Sequence, residues 1–167
     1  MLLWNRSLKN LSLLLILLNF SGLSYSQKNK NTTVVSLCRK NIKEGIRGKI
    51  IMQMGNQMPS PGSPPKISNG VARTIGIFAL TRLEDTEAGQ KIGFYKKIKT
   101  KRIAQIKSRK DGCFAIKLPP GRYSLFVREK GEWYANSFGG EGEIFEIVIK
   151  SNEITETEFR INHSAYF

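Results

Sequence analysis

The side chains able to carry acid-base, nucleophilic or metal chemistry are few in this chain of 167 residues. His163 is the single histidine, so the sequence offers no histidine pair for zinc and no cysteine–histidine pair for a nucleophile. Glu141 and Glu143 could form a carboxylate pair for hydrolysis or calcium binding, but two acids among glycines more often form a solvated loop. We therefore expect no enzymatic activity, no metal and no cofactor, and we expect His163 to be a partly exposed residue near the terminus.

The two cysteines, Cys38 and Cys113, are predicted to form a disulfide. Cys113 lies at the opposite parity from Phe114 and Ile116, so its side chain should point away from the core face, where an N-terminal segment could lie across the sheet. Closing a loop of 75 residues would stabilise the fold by about 4 to 5 kcal/mol in the chain-entropy model. Two unpaired thiols, with Cys113 packed under a loop, are the alternative.

Positive charge is concentrated in one stretch of twenty residues that contains no acid. Its basic members are Lys91, Lys96, Lys97, Lys99, Lys101, Arg102, Lys107, Arg109 and Lys110. Gly93, Phe94 and Tyr95 interrupt the stretch, which predicts a hairpin over residues 91–110. Such a hairpin could bind anionic glycans or lipopolysaccharide by counterion release. We favour the alternative, an edge hairpin whose lysines prevent aggregation between sheets, and nucleic acid is not an expected partner.

A second group of candidate binding residues is aromatic. Trp133, Tyr134 and Phe138 are flanked by Asn136 and a glycine loop, and they could stack a sugar or a peptide on an exposed shelf. A tryptophan between strands of a sandwich more often fills the end of the core, and this is the favoured alternative.

The first 26 residues are predicted to be a secretory signal peptide. Arg6 and Lys9 precede an apolar run over residues 11–18, and residues 24–26 have the small-x-small pattern of a cleavage site. The apolar run is too short to span a bilayer. We expect a soluble, secreted or periplasmic protein of one domain after cleavage, with no later transmembrane segment. The chain has 27 basic and 13 acidic residues, which fits either an anionic partner or surface solubility.

The remaining chain contains short alternating segments separated by turn residues. They are predicted over residues 48–54, 71–81, 103–108, 111–127, 143–150 and 154–161. Residues 119–121 should turn the segment 111–127 into a hairpin, residues 55–70 should form a loop, and helical character is confined to residues 81–89. About seven strands predict an all-β protein, an antiparallel Greek-key β-sandwich of the immunoglobulin or transthyretin type.

The same alternation predicts which side chains form the core. They are Ile50, Ile77, Phe114, Ile116, Leu118, Tyr123, Leu125, Val127, Ile147, Ile149, Phe159 and Ile161.

The segment DGCFAIKLPPGRYSLFV, preceded by GKIIMQMGNQMPSPG and RTIGIFAL, resembles the carboxypeptidase regulatory-like domain. This family is a transthyretin-like, carbohydrate-binding-like sandwich of exported bacterial proteins. The matching residues are Asp111, Gly112, Phe114, Leu118, Pro119, Pro120, Gly121, Tyr123 and Val127. The resemblance covers roughly residues 46–161, and residues 81–100 look like an insertion. It implies a module that accompanies catalysis in other proteins without performing it.

These observations predict four parts: the signal peptide 1–26, an N-terminal segment 27–45 that is partly disordered, the sandwich domain 46–162 and a tail 163–167. The expected function is non-catalytic binding or scaffolding, with a cell-surface protein, a peptide or an anionic glycan as partner. The alternative is a small secreted enzyme or inhibitor. A pocket lined by at least two titratable groups would favour the enzyme, and a flat basic face would favour binding.

Overall fold

The computed structural model describes residues 38, 41–58, 62 and 68–167. The predicted signal peptide and most of the predicted N-terminal segment lie outside these residues. The described part contains eleven strands: β1 (Gly45–Asn56), β2 (Asn69–Gly70), β3 (Thr74–Ala79), β4 (Thr86–Ala88), β5 (Phe94–Ile98), β6 (Arg102–Lys107), β7 (Cys113–Ile116), β8 (Gly121–Glu129), β9 (Glu132–Tyr134), β10 (Glu146–Ile149) and β11 (Ile154–Tyr166). One 3-10 turn, Leu83–Asp85, lies within the segment expected to have helical character.

The strands form two sheets. The smaller sheet has the order β11-β1-β2, and β7 also pairs with β1; the larger has the order β4-β5-β9-β8-β3-β6, and β10 also pairs with β8. Every pairing is antiparallel except that of β1 with β11. The predicted all-β sandwich is confirmed. The strand count is higher than predicted, and the parallel pair was not expected; β1 and β11 can be parallel because the whole larger sheet lies between them in sequence.

The core lies between the two sheets. All predicted core residues are buried except Ile116, which is partly buried and packs against the others. The Phe114 ring lies directly against Gly48, where a Cβ atom would approach the ring to 2.5 Å. Gly48 is therefore needed for the ring to reach the interior between the sheets.

The prolines at positions 119 and 120 do not close a hairpin, which corrects the prediction for residues 111–127. β7 pairs with β1 in the smaller sheet, whereas β8 pairs with β3, β9 and β10 in the larger sheet. The segment between them therefore carries the chain from one sheet to the other. Proline lacks the N–H that a strand ladder requires, so two consecutive prolines favour such a crossing over continued pairing.

Asp111 and Gly112 form the turn before β7, and the turn requires both residue types. Gly112 has a φ of 82°, and a Cβ atom on it would lie 2.1 Å from the Ile50 carbonyl oxygen. Asp111 Oδ1 accepts a hydrogen bond of 3.1 Å from the Cys113 main-chain N–H. This bond, together with the neighbouring Arg109, lowers the pKa of Asp111. The turn holds the start of β7 against β1 and so fixes the position of Cys113.

Candidate functional site

The predicted disulfide between Cys38 and Cys113 is confirmed. The two Cα atoms are 5.1 Å apart, and both side chains are buried. The bond attaches the segment before β1 to the start of β7, which is the arrangement that the parity of Cys113 predicted. The alternative of two free thiols is excluded.

The basic stretch does not form one hairpin, so the prediction of a hairpin over residues 91–110 is wrong. β5 pairs with β4 and β9, whereas β6 pairs with β3, and the two strands stand far apart in the order of the larger sheet. The linker between them is held at the end of β3, where Ala79 N–H donates to the Lys101 carbonyl at 2.9 Å. All nine basic side chains are exposed. Lys96 and Lys97 thus lie in β5, Arg102 lies in β6, and Lys99 and Lys101 lie in the linker between the two strands.

The aromatic residues do not form an exposed shelf. Trp133 and Tyr134 are buried, and Phe138 alone of the three is exposed. Trp133 packs on the outer face of the larger sheet, where its ring meets Phe78 edge to face with centroids 5.3 Å apart. Tyr134 points between the sheets; its hydroxyl donates to Asn162 Oδ1 at 2.8 Å, and burial raises its pKa. The alternative of a packing role is the one that the structure supports for Trp133 and Tyr134.

Glu141 and Glu143 also have structural partners. Glu143 is buried, and its Oε1 lies 3.6 Å from Arg82 Nη2 and 3.5 Å from Arg122 Nη2. Hydrogen bonds from its own main-chain N–H and from that of Glu141, followed by the two arginines, lower the pKa of Glu143. Glu141 is exposed and pairs with Arg82 at 2.8 Å. Two carboxylates that are each engaged by arginine are not arranged as an acid-base pair or as calcium ligands.

A concave site lies beside the turn between β8 and β9, and we call it the turn cleft. Its volume is about 510 Å³. It is lined by Met52, Gln53, Met54, Arg73, Arg128, Glu129, Lys130, Ile161, His163 and Ser164. Lys130 and Gly131 both have positive φ, 49° and 85°, as a two-residue type I′ hairpin turn requires.

A bulge forms the opposite wall of the turn cleft. The register between β1 and β11 shifts between Met52 and Met54, which pair with Ile161 and Ser164. One residue of β1 therefore opposes two residues of β11. A bulge re-aims the side chains around it, and this one brings His163 and Ser164 to the same cleft although they are adjacent in a strand.

A buried carboxylate is the centre of the turn cleft. The Glu129 side chain is 5 % exposed, and its Oε1 accepts a hydrogen bond from Arg73 Nε. Its Oε2 lies 3.1 Å from His163 Nε2, and His163 Nδ1 lies 2.9 Å from Ser164 Oγ. The carboxylate can only accept, so in the neutral ring Nε2–H donates the hydrogen bond to Glu129, and Nδ1 accepts one from the serine hydroxyl. Arg73, Glu129, His163 and Ser164 thus form one continuous hydrogen-bonded chain.

His163 is partly exposed, as the sequence predicted, but it has packing and hydrogen-bond partners that the sequence did not predict. Its side chain is 10 % exposed, and its ring packs against Phe94 and Tyr134 with centroid distances of 5.2 and 5.4 Å. β11 continues to Tyr166, so the predicted tail 163–167 is largely strand. The missed signal was Glu129, which follows Tyr123, Leu125 and Val127 at inward parity and therefore had to be buried with a partner.

The described residues contain no group of three or more acidic, histidine or cysteine side chains that could hold a metal ion. They also contain no helix long and apolar enough to span a membrane. No family model, curated protein or solved structure matches the chain. The resemblance to the carboxypeptidase regulatory-like domain thus stays a prediction that rests on the motif residues alone.

Proposed function

We propose that the protein is an extracytoplasmic, non-catalytic binding module whose turn cleft takes a small ligand with an anionic group and an apolar body. Three observations support export: the signal-like first 26 residues, the motif resemblance to a family of exported sandwiches, and the disulfide between Cys38 and Cys113. Disulfides persist in oxidising compartments and are rare in the cytosol of mesophiles.

The observation that carries the proposal is the lining of the turn cleft. Its volume of about 510 Å³ lies within the range of small-molecule sites. Met52 and Met54 supply apolar surface, while Arg128 and Lys130 are exposed cations at its rim. Glu129 already engages Arg73, but no carboxylate among the described residues pairs with Arg128 or Lys130. Their charge is therefore available to an anionic ligand.

Octanoate and octylamine test this proposal, because they share an apolar chain and differ in the sign of the head group. We expect titration calorimetry to detect octanoate and not octylamine, with weaker binding at higher salt. Arg128→Gln combined with Lys130→Asn should abolish octanoate binding, since asparagine tolerates the positive φ of position 130. Lys150→Gln is the control, because this exposed lysine lies beyond the other end of β8. Equal binding of both probes, or binding that survives the double substitution, contradicts the proposal.

A hydrolase is the second candidate, favoured by the contact between Ser164 Oγ and His163 Nδ1 at 2.9 Å. In that mechanism the imidazole takes the hydroxyl proton as Oγ attacks an acyl carbon, Glu129 stabilises the imidazolium, and the imidazolium gives the proton to the leaving group as the acyl bond to that group breaks; water then hydrolyses the acyl-serine. The turn cleft also contains more than two titratable groups. Binding remains the leading proposal because the serine contacts Nδ1, the ring nitrogen nearest the backbone of β11, and Ser164 directly follows His163 in that strand. Neighbouring residues make such a contact through local packing alone.

A fluorophosphonate probe separates the two candidates, since it reacts with serines that a histidine activates. A non-catalytic module should show no labelling at Ser164 and no burst with p-nitrophenyl acetate. Stoichiometric labelling that is lost in both Ser164→Ala and His163→Gln would establish the hydrolase instead. Ser137→Ala serves as the matched control, because Ser137 is an exposed serine outside the cleft lining.

A further inference from the structure

The outer edge of β6 is an unpaired edge of the larger sheet. β6 pairs with β3 on one side, and among the described residues no strand lies along its other side. Ser108 N–H donates to the Arg73 carbonyl at 2.9 Å. Hydrogen bonding alternates along an antiparallel pair. The main-chain N–H and C=O groups of Ile106 therefore point toward β3, whereas those of Gln105 and Lys107 point away from the sheet. These groups are donors and acceptors for an added strand.

Two clefts of different chemistry flank this edge. The inner one, of about 250 Å³, is mainly apolar and lies beside the disulfide. It is lined by Cys38, Ile106, Lys107, Arg109, Cys113, Phe114 and Ala115. The outer one, of about 360 Å³, has two guanidinium groups and an indole ring. It is lined by Thr74, Arg102, Gln105, Arg128 and Trp133. A strand added to β6 would direct alternate side chains to the inner and outer sides.

We propose that the β6 edge is a docking site for an extended peptide segment of another protein in which apolar and acidic side chains alternate. The apolar side chains fit the inner cleft, and the acidic ones meet Arg102 and Arg128 in the outer cleft. Main-chain hydrogen bonds supply affinity, and the two clefts supply specificity, as in other cases of strand addition.

Charge decides the occupant of this edge. Arg102, Lys107, Arg109 and Lys110 are exposed, and residues 91–110 contain no acid. A second copy of β6 that paired in antiparallel register through the outward main-chain groups of Lys107 would place the two Lys107 side chains opposite each other, and like charges in that position are destabilising. The same cations that prevent self-association therefore favour an acidic partner strand.

The edge is also short, which limits the length of the partner. The register of β3 with β6 shifts between Ile77 and Phe78, so Ile103 has no direct partner while Ala104 and Arg102 do. A bulge of this kind disrupts regular pairing. The added strand should thus pair mainly over residues 104–107, and specificity should depend on a few side chains.

The test uses synthetic peptides of roughly nine residues, within the usual length of a strand. One peptide alternates glutamate and valine, a second alternates lysine and valine, and a third repeats the first with every main-chain nitrogen methylated, so that it cannot donate main-chain hydrogen bonds in any register. We expect fluorescence anisotropy to detect the first peptide, with at least tenfold weaker binding of the other two. Equal binding of the glutamate and lysine peptides overturns the proposal, and so does full binding of the N-methylated peptide.

Variants of the protein test the edge directly. Gln105→Pro removes an outward N–H at an edge position where proline is tolerated, and it should abolish peptide binding while leaving octanoate binding in the turn cleft unchanged. Arg102→Glu with Lys107→Glu should lower affinity for the glutamate peptide at least tenfold. Lys91→Glu with Lys96→Glu is the matched control, because both lysines are exposed and lie outside β6.

Three outcomes would overturn the assignment of this edge. The first is normal peptide binding by the Gln105→Pro variant. The second is an equal loss in the control pair, which would show general electrostatic attraction. The third is aggregation of the Arg102→Glu, Lys107→Glu protein combined with unchanged peptide affinity, which would assign the cations to edge protection alone.

Discussion

Replacing Glu129 with glutamine removes the negative charge at the centre of the turn cleft while nearly keeping the side-chain volume. Glu129 is 5 % exposed, whereas the Arg73 side chain is 30 % exposed and also donates to the Ala72 carbonyl at 3.0 Å. The variant leaves Arg73 without its carboxylate partner and presents an amide NH₂ to either Arg73 or His163. The substitution is therefore expected to destabilise the protein without creating a cavity.

The expected magnitude follows from the burial of the two partners. Removing one partner of a buried ion pair costs about 3 to 5 kcal/mol. Arg73 retains contact with water and one main-chain acceptor, so Glu129→Gln should cost near the lower end, about 3 kcal/mol. Arg73→Met alone should also destabilise, but the double variant should lose less than the sum of the two, with a coupling of about 1 to 3 kcal/mol.

Urea unfolding of the four proteins, with the disulfide intact, measures this coupling. The midpoints give the differences in unfolding free energy provided that the slopes agree. The reasoning is refuted if the two losses add to within about 0.5 kcal/mol, since contact between Arg73 and Glu129 would then carry no energy.

Three other predictions concern stability. Replacing Cys38 and Cys113 together by serine should lower the unfolding free energy by about 4 kcal/mol, because a loop of 75 residues is released in the unfolded chain; an unchanged urea midpoint would contradict this. Phe114→Ala should cost about 3 to 5 kcal/mol, since the ring is 5 % exposed, and a loss below about 1 kcal/mol would show that the site collapses around the gap. Burial, and next the neighbouring Tyr134, raises the pKa of Tyr95 to about 12 from 10.0. Its contribution to stability is thus complete below pH 10 and lost as the pH rises toward 12; a Tyr95→Phe variant with the same alkaline decline would oppose this assignment.

Alternation along single strands was sufficient to predict much of the core, because parity depends on local backbone geometry. It failed where a strand is covered on both faces. In β8, Leu125 and Val127 point between the sheets as predicted, yet Phe126 is also fully buried. Its ring meets Phe78 and Tyr95 on the outer face, with centroids 5.4 and 5.6 Å apart. Nothing in the alternation of β8 itself reveals that second layer.

Strand partners were predicted less well than strands, since pairing depends on residues distant in sequence. The basic residues of β5 and β6 are separated by a three-residue linker that looks like a hairpin turn, but the linker is bonded to the ends of other elements. Lys99 N–H donates to the Asp85 carbonyl at 2.9 Å, and the Lys101 carbonyl accepts from Ala79 N–H. A local pattern of turn residues cannot distinguish a turn from a crossing of this kind.

The turn cleft illustrates the same limit for function. The sequence does not reveal the partners of His163, because Glu129, which contacts its ring, and Arg73, which contacts Glu129, are 34 and 90 positions away, respectively. Glu129 was nevertheless detectable as an acid at an inward position. A charge at such a position requires a buried partner, so the inward parity of Glu129 is the sequence feature that marks the cleft.

Arg128 links the two proposed binding surfaces, because it lines both the turn cleft and the outer cleft beside β6. Its guanidinium carbon lies 5.0 Å from the centroid of the Trp133 ring, a cation–π contact that an anionic ligand on either side would compete with or strengthen. Arg128→Gln should consequently weaken both octanoate and the glutamate peptide, whereas Lys130→Asn should weaken octanoate alone and Gln105→Pro the peptide alone. Saturating octanoate should also lower peptide affinity in the native protein, and that effect should vanish in Arg128→Gln. Additive, independent binding of the two probes to the native protein would show that Arg128 serves at most one of the surfaces.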